Sequence, residues 1–179
     1  SEWHKQFVHE HHNIPLEKIL ITSNGIEPSR YDLKVEKNPN QIFYSSSPDR
    51  GLDTLLYCSD FIKQYVPDLK IAVCYGFNNW EKAIRWRNNP TEIRQMEELK
   101  KALEKPQVNY LGRIDQQALA KVQMESSGWF QSTNFTETFA ITAAEAGWAS
   151  NPILCTELAG LITTVKDGGI MLKGNAYTK

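Results

Sequence analysis

The sequence carries no GxGxxG fingerprint, no Walker A loop and no serine nucleophile elbow, so the signatures of dinucleotide enzymes, P-loop enzymes and α/β-hydrolases are absent. Cysteine is scarce. The three residues Cys58, Cys74 and Cys155 are an odd number without a CxxC pair, which excludes a fully paired disulfide framework and a zinc ribbon. Cys74 and Cys155 sit in apolar, strand-like runs and read as buried free thiols of a reducing compartment. No apolar run approaches the roughly 18 residues of a membrane span, and no signal-peptide pattern is present. An excess of charge is missing too: 20 Lys and Arg stand against 21 Asp and Glu. A net charge of -1 supports no bulk attraction to nucleic acid or anionic lipid, so no nucleic-acid partner is expected. The run His9-Glu10-His11-His12 fails HExxH because position 13 is Asn, and it reads as a solvated helix face. Asn134-Phe135-Thr136 matches a glycosylation sequon by chance.

What is present suffices for one core. At 179 residues and 41% hydrophobic, the chain is of single-domain size. It lacks an initiator Met and opens inside an expected helix (residues 1–12, with Trp3, Phe7 and Val8 on one side), so it is expected to be cut from something longer. A brief strand is expected at 18–22, a turn at Asn24-Gly25, and a charged loop rich in Pro and Asn at 28–40. Strands and helices then alternate. Strands are expected at 42–45, 69–75, 108–111, 129–131, 152–155 and 170–172. Helices are expected at 52–65, 91–104, 115–124 (capped by Asp115), 137–149 and 158–165. Trp129 and Trp148 are assigned to the core. This alternation predicts an α/β protein with a doubly wound parallel, Rossmann-like sheet. Ligands of such sheets lie beyond the carboxyl ends of the strands, so the strand-to-helix loops are where function is sought.

Three such segments stand out. Ser45-Ser46-Ser47-Pro48-Asp49-Arg50-Gly51 brings hydroxyls, free amides and a guanidinium together, a set that binds phosphate oxygens; the alternative is a polar turn with a surface Arg. Gly112-Arg113 lies at another strand end, where Arg113 either meets a ligand or is simply an exposed loop residue. Glu137 and Glu145 stand eight residues apart, at the start and in the third turn of the helix expected there, a rise of roughly 12 Å. Carboxylates beside an anion-binding helix N-terminus suit a ligand bearing both phosphate and hydroxyls, such as a nucleotide-sugar. The alternative is a dipole-favouring Glu137 and a solvated Glu145. Against it, Ala143, Ala144, Ala146 and Trp148 give Glu145 apolar neighbours, and an unpaired buried carboxylate is costly.

With these residues assembled, the chain resembles the nucleotide-sugar-binding C-terminal half of a GT-B-fold glycosyltransferase, within the retaining family four (glycosyl transferases group 1). Ser1 to Lys5 and Ile21 to Ile26 are similar to the end of the partner domain and the inter-domain crossover. Tyr44 to Leu52 is similar to the loop that binds the donor diphosphate, and Glu137 to Glu145 to the E-x7-E motif. The resemblance implies a division into residues 1–16, the end of the partner domain with its connection, and 17–179, the donor-binding domain. It implies Glu137 beside the donor sugar near the reacting carbon and Arg50 neutralising the leaving diphosphate, the two catalytic residues. Thr138 and Phe139 would offer amides to the distal phosphate or sugar, with Ser46 and Ser47 in the phosphate loop. Glu145 would hold the ribose hydroxyls, and Gly112, Arg113 and Ile114 would border the base.

The ligand so implied is a UDP- or GDP-sugar donating a hexosyl unit to a glycan, lipid or other acceptor, with no cofactor, no metal and no DxD pair. An N-terminal acceptor domain would complete the enzyme, which would be cytoplasmic, with any peripheral attachment to a membrane made through that domain. Departures are visible. Ser46 stands where many relatives have Arg, Ser150 where Gly is common, and Ala159 and Thr163 replace the first Gly and the acidic residue of a GGxxE-like segment. They point to a second reading, a non-catalytic nucleotide-binding or scaffold domain of the same fold.

Overall fold

A computed structural model describes residues 1–174. Six strands form one all-parallel sheet: β1 (Gln41–Tyr44), β2 (Lys70–Val73), β3 (Val108–Tyr110), β4 (Gly128–Gln131), β5 (Ile153–Thr156) and β6 (Gly169–Leu172). Their order is β3-β2-β1-β4-β5-β6. The central strands are short and apolar because helices cover both faces. Phe43, Ile71 and Val73 are fully buried.

On one face pack α2 (Leu52–Ile62), α3 (Asn78–Arg87) and α4 (Pro90–Ala102), which close Leu52, Leu55, Leu56, Ile84, Met96 and Leu99 over Tyr44, Ile71 and Val73. The other face carries α5 (Gln116–Glu125), α6 (Ile141–Trp148) and α7 (Gly160–Val165), whose Ala143, Ala146, Leu161 and Val165 meet Phe43, Trp129, Ile153 and Cys155. The opening helix, α1 (Glu2–His12), packs on α7. The expected doubly wound sheet is therefore present, and so is the Asp115 cap, whose side chain accepts from the Ala118 amide.

Three local expectations are corrected, and one helix is added. Residues 18–22 form no strand, and no turn is defined at Asn24-Gly25; a 3-10 turn at Leu16–Lys18 is followed by irregular chain. The run 18–22 has strand propensity but pairs with neither edge of the sheet, and a lone strand leaves its backbone groups unsatisfied. The loop expected at 28–40 is present, with a 3-10 turn at Pro28–Tyr31 inside it. Helix α3 has no counterpart in the sequence reading, because only Ile84 of its residues is buried and the apolar signal is thin. Trp148 is 53% exposed, unlike Trp129 at 2%. Cys74 and Cys155 are buried free thiols, held by burial at about 12 and about 11 respectively.

Among the described residues no helix is long and apolar enough to cross a membrane.

Candidate functional site

The strand order turns back between β1 and β4. After β3 at one edge, the chain returns to lay β4 on the other side of β1. The loops leaving these two strands therefore diverge and open a crevice, the place where sheets of this type bind ligands. The loop after β1 supplies Ser45, Ser46, Ser47 and Arg50. The loop after β4 and the first turn of α6 supply Glu137 to Thr142. Tyr75 and Asn24 complete a cleft of about 280 Å³.

Close backbone packing sets these walls. Gly51 has φ +99° and begins α2, and a Cβ there would lie 1.8 Å from the Ser132 carbonyl oxygen. The start of α2, with Arg50 before it, is thus seated directly on the loop after β4. On the far wall, a Cβ at Gly160 would lie 2.5 Å from the Glu137 carbonyl oxygen, and the Gly160 amide donates to that oxygen at 2.8 Å. Thr164 donates to the Phe139 carbonyl and Ser1 Oγ to the Thr138 carbonyl at 2.6 Å. Three successive carbonyls, Glu137 to Phe139, are held from outside the loop, so this segment is a clamped turn.

That clamp corrects the expected helix. α6 begins at Ile141, and Glu137, Thr138 and Phe139 precede it. Ala140, at φ 66° and ψ 72°, lies in the left-handed region and stops helical backbone from running back to Glu137. The two glutamates do not share a helix, and the roughly 12 Å rise does not apply. What survives is the opening of α6 into the cleft: Thr138 to Thr142 all line it, and α6 has no side-chain N-cap, as α2 has none.

Arg50 and Glu137 meet across the cleft, with Arg50 Nη1 donating to Glu137 Oε1 at 2.7 Å. The Arg50 guanidinium lies 3.9 Å over the Phe135 ring, a cation–π contact. Its Nε is buried without a partner, as are Ser45 Oγ and Gln131 Nε2 nearby. Ser46 Oγ donates to Gln131 Oε1 at 3.3 Å and lies 3.3 Å from Thr142 Oγ1, joining the ends of β1 and β4 to the first turn of α6. Tyr44 donates from its hydroxyl to the Ser47 carbonyl at 2.7 Å, and burial followed by the nearby Asp49 carboxylate raises its phenol well above the usual value.

Glu145 is elsewhere. It is 7% exposed, on α6 close to the Pro28–Tyr31 turn, where Gln123 Nε2 donates to it at 3.2 Å and Arg30 Nη1 lies at 3.8 Å. The carboxylate is thus partnered within the chain, which removes the argument that an unpaired charge there must be satisfied by a ligand. Tyr31 donates to Gln123 Oε1 at 2.7 Å, and burial plus the Glu145 charge push its phenol up to about 12. Gly112, Arg113 and Ile114 follow β3; none lines the cleft, but Arg113 Cβ lies 3.4 Å from where a Cβ on Gly76 would sit, beside cleft residue Tyr75. Ile114 packs on the second core cluster. So Ser46, Ser47, Arg50, Glu137, Thr138 and Phe139 come together, and Glu145, Gly112, Arg113 and Ile114 stand apart from them.

Sequence reasoning missed Asn24, Tyr75, Phe135 and Gln131 as site residues. Asn24 lies within the irregular stretch before the Pro28–Tyr31 turn, Phe135 belongs only to the chance sequon match, and Tyr75 and Gln131 carry no motif. Among the described residues no group of three or more His, Cys, Asp or Glu could hold a metal.

The departure at Ala159 has a backbone consequence. Ala159 sits at φ 51° and ψ −129°, a conformation that suits glycine. Ala159→Gly is expected to stabilise the chain by about 1 kcal/mol, because relieving strain of this kind outweighs the added unfolded-state entropy. Urea denaturation measures it; a fall in the midpoint would show that the buried methyl matters more than the backbone.

This is the fold of the Rossmann-like half of GT-B glycosyltransferases. Over 99% of this chain and 48% of its own, a glycosyltransferase from Rickettsia africae ESF-5 superposes with a TM-score of 0.73 at 16% identity. The trehalose-6-phosphate synthase OtsA matches 86% of this chain over 39% of its own, with TM-score 0.61 and 15% identity. The pneumococcal O-GlcNAc transferase GtfA, solved with UDP and GlcNAc, matches 78% over 26%, with TM-score 0.57 and 15% identity. At these identities the likeness is one of fold. The chain spans between about a quarter and a half of the length of these solved chains. No protein-family model matches the sequence, and comparison with curated proteins finds no match.

Proposed function

We propose that this chain is the nucleotide-sugar donor-binding domain of a retaining glycosyltransferase that transfers a hexosyl unit from a UDP- or GDP-sugar. The observation that carries the reading is the Arg50–Glu137 pair in the cleft between the β1 and β4 loops. Arg50 supplies positive charge where a diphosphate leaves, and the uncapped starts of α2 and α6 add amides to the same side. Glu137 takes the sugar side, near the reacting carbon. Thr138 and Phe139 offer amides to the distal phosphate or sugar, and Ser46 and Ser47 complete the phosphate loop. Glu145 holds the ribose, and Gly112, Arg113 and Ile114 border the base in the neighbouring loop. Solved glycosyltransferases of the same fold, one of them with UDP and GlcNAc, support it.

In this reading residues 1–16 end a partner domain and residues 17–179 form the donor half. The acceptor site lies in an N-terminal half that also decides membrane attachment of an otherwise cytoplasmic enzyme. The donor half alone is silent in transfer.

Thermal unfolding with UDP, GDP and ADP, and with their sugar conjugates, tests the reading. A ligand at 100 times its dissociation constant stabilises by roughly 2.7 kcal/mol. Uridine or guanosine ligands should raise the melting temperature; an unmoved melting temperature with every nucleotide at millimolar concentration sinks it. A second reading, a nucleotide-binding or scaffold domain without transfer, is favoured by the charge balance: Ser46 supplies no cation, and Arg50 is already neutralised by Glu137. Nucleotide binding without transfer by the two-domain protein selects it.

A further inference from the structure

Among the described residues that line the cleft, Arg50 is the only cationic side chain, and its Nη1 is bonded to a carboxylate of the same cleft. The backbone beside each partner is held. The Gly51–Ser132 approach seats the backbone beside Arg50, the Phe135 ring backs its guanidinium, and Gly160 holds the Glu137 carbonyl. The Glu137 side chain is only 12% exposed, so water does little to replace a lost partner. A phosphate that turns the Arg50 guanidinium away from Glu137 Oε1 releases a mostly buried carboxylate, and a released carboxylate next to an anion is unfavourable twice over: it loses its hydrogen bond and meets like charge. The exchange is offset only if the ligand also brings hydrogen-bond donors to Glu137. A bare phosphate or diphosphate brings none. A diphosphate carrying a sugar brings hydroxyls on the side where Glu137 stands.

We infer that the Arg50–Glu137 pair is a specificity device that makes the cleft favour a sugar-bearing diphosphate over the same diphosphate without its sugar. The inference rests on the donor-cleft reading above. Part of the selectivity then comes from a penalty imposed on ligands that lack the sugar, which is discrimination by an unpaired group rather than by extra attraction. The bound sugar's hydroxyls take the place on Glu137 that the Arg50 guanidinium gives up to phosphate.

The test is a calorimetric titration of the 179-residue chain with pyrophosphate, UDP, UDP-glucose, GDP and GDP-mannose, repeated for Glu137→Gln, Glu137→Asp, Arg50→Gln and the double variant Arg50→Gln/Glu137→Gln. Glu137→Gln removes the charge at constant shape, and Glu137→Asp withdraws the carboxylate from reach; circular dichroism reports folding of each. In the wild type, the sugar-bearing ligand should bind roughly three- to tenfold tighter than its bare diphosphate, the scale of one partly screened charge pair. In Glu137→Gln, pyrophosphate and the bare diphosphate should tighten by a similar factor, and the preference for the sugar should fall to about one. Glu137→Asp should move the same way by less. In the Arg50→Gln background, Glu137→Gln should tighten pyrophosphate by less than it does with Arg50 present, because the lost hydrogen bond no longer counts and only the like-charge part of the penalty is relieved.

If Arg50→Gln weakens the bare diphosphate but Glu137→Gln leaves it unchanged or weaker, the cleft binds phosphate as read and the exchange is wrong. If no variant binds pyrophosphate or any nucleotide, the donor-cleft reading fails and takes the exchange with it.

Discussion

Gly51→Ala should lower the stability of the chain by roughly 2–6 kcal/mol, the sum of left-handed backbone strain and a forced backbone displacement. The size follows from two independent features of one residue. At φ +99° a side chain is strained whatever space surrounds it, and here the space is also taken: the added carbon would lie 1.8 Å from the Ser132 carbonyl oxygen and 2.7 Å from its carbon. Ser132 leads out of β4, so the overlap cannot be relieved by a side-chain rotation; the loop itself must retreat. A domain of ordinary stability, about 5–15 kcal/mol, would lose a large share of it.

Urea denaturation measures the loss as a shift in midpoint at constant slope. Gly51→Asn separates the two causes. Asn tolerates positive φ better than Ala but carries the same Cβ, so it should be no better tolerated if the close approach dominates. A midpoint within the reach of 0.5 kcal/mol, roughly the scatter of neutral surface changes, would mean that the seating of α2 on the β4 loop is looser than the geometry states. If Arg50 binds phosphate as proposed, variants that survive should also lose phosphate affinity, because Arg50 immediately precedes this glycine.

The same close approaches explain which parts of the site the sequence could reveal. The central strands are legible because each is a short, mainly apolar run that a two-sided sheet buries, as Ile71 to Val73 show, whereas the edge strands β3 and β6 hold no buried residue. The loop at Ser45 to Gly51 was legible for a related reason: hydroxyls, Arg and Gly between a strand and an amphipathic helix mark a ligand edge wherever the sheet is parallel. Glu137 is visible in the sequence, but its setting is not. The apolar spacing from Phe139 onward continues a helical pattern, and nothing local says that Gly160 and Thr164 will take the carbonyls of Glu137 and Phe139. Those partners lie far along the chain, so the end of the helix is decided by tertiary packing rather than by propensity.

Trp148 shows the limit of periodicity. It occupies a helix of eight residues whose buried stripe is made of Ala143, Glu145 and Ala146, leaving the indole at the surface. Residues 18–22 erred in the opposite direction, with the composition of a strand and no neighbour to make them one.

Glu145 is the residue whose meaning the structure altered most. Arg30→Ala should cost roughly 1–3 kcal/mol, since it strips a nearly buried carboxylate of its cation while the charge stays in place. The Arg30 side chain is 24% exposed and its Nη1 stands 3.8 Å from Glu145 Oε1, so water softens the loss below that of a sealed ion pair. Glu145→Gln should cost less than Arg30→Ala, because a neutral amide in the same shape leaves no stranded charge, and in the Glu145→Gln background the further change at Arg30 should cost little. That ordering tests the structural pairing alone.

The ribose role is tested by a different measurement on the same variants. A carboxylate has about four lone-pair sites, and Gln123 with a distant guanidinium does not exhaust them, so a sugar hydroxyl can still be accepted. If Glu145 holds a ribose, Glu145→Gln weakens UDP or GDP by more than its modest effect on stability, and leaves pyrophosphate, which has no ribose, untouched. Equal losses for nucleotide and pyrophosphate would assign the effect to a disturbed α6. An unchanged nucleotide affinity would leave Glu145 as a buried strut that ties α6 to α5 and to the Pro28–Tyr31 turn, and would confine the chemistry of this chain to the cleft where Arg50 faces Glu137.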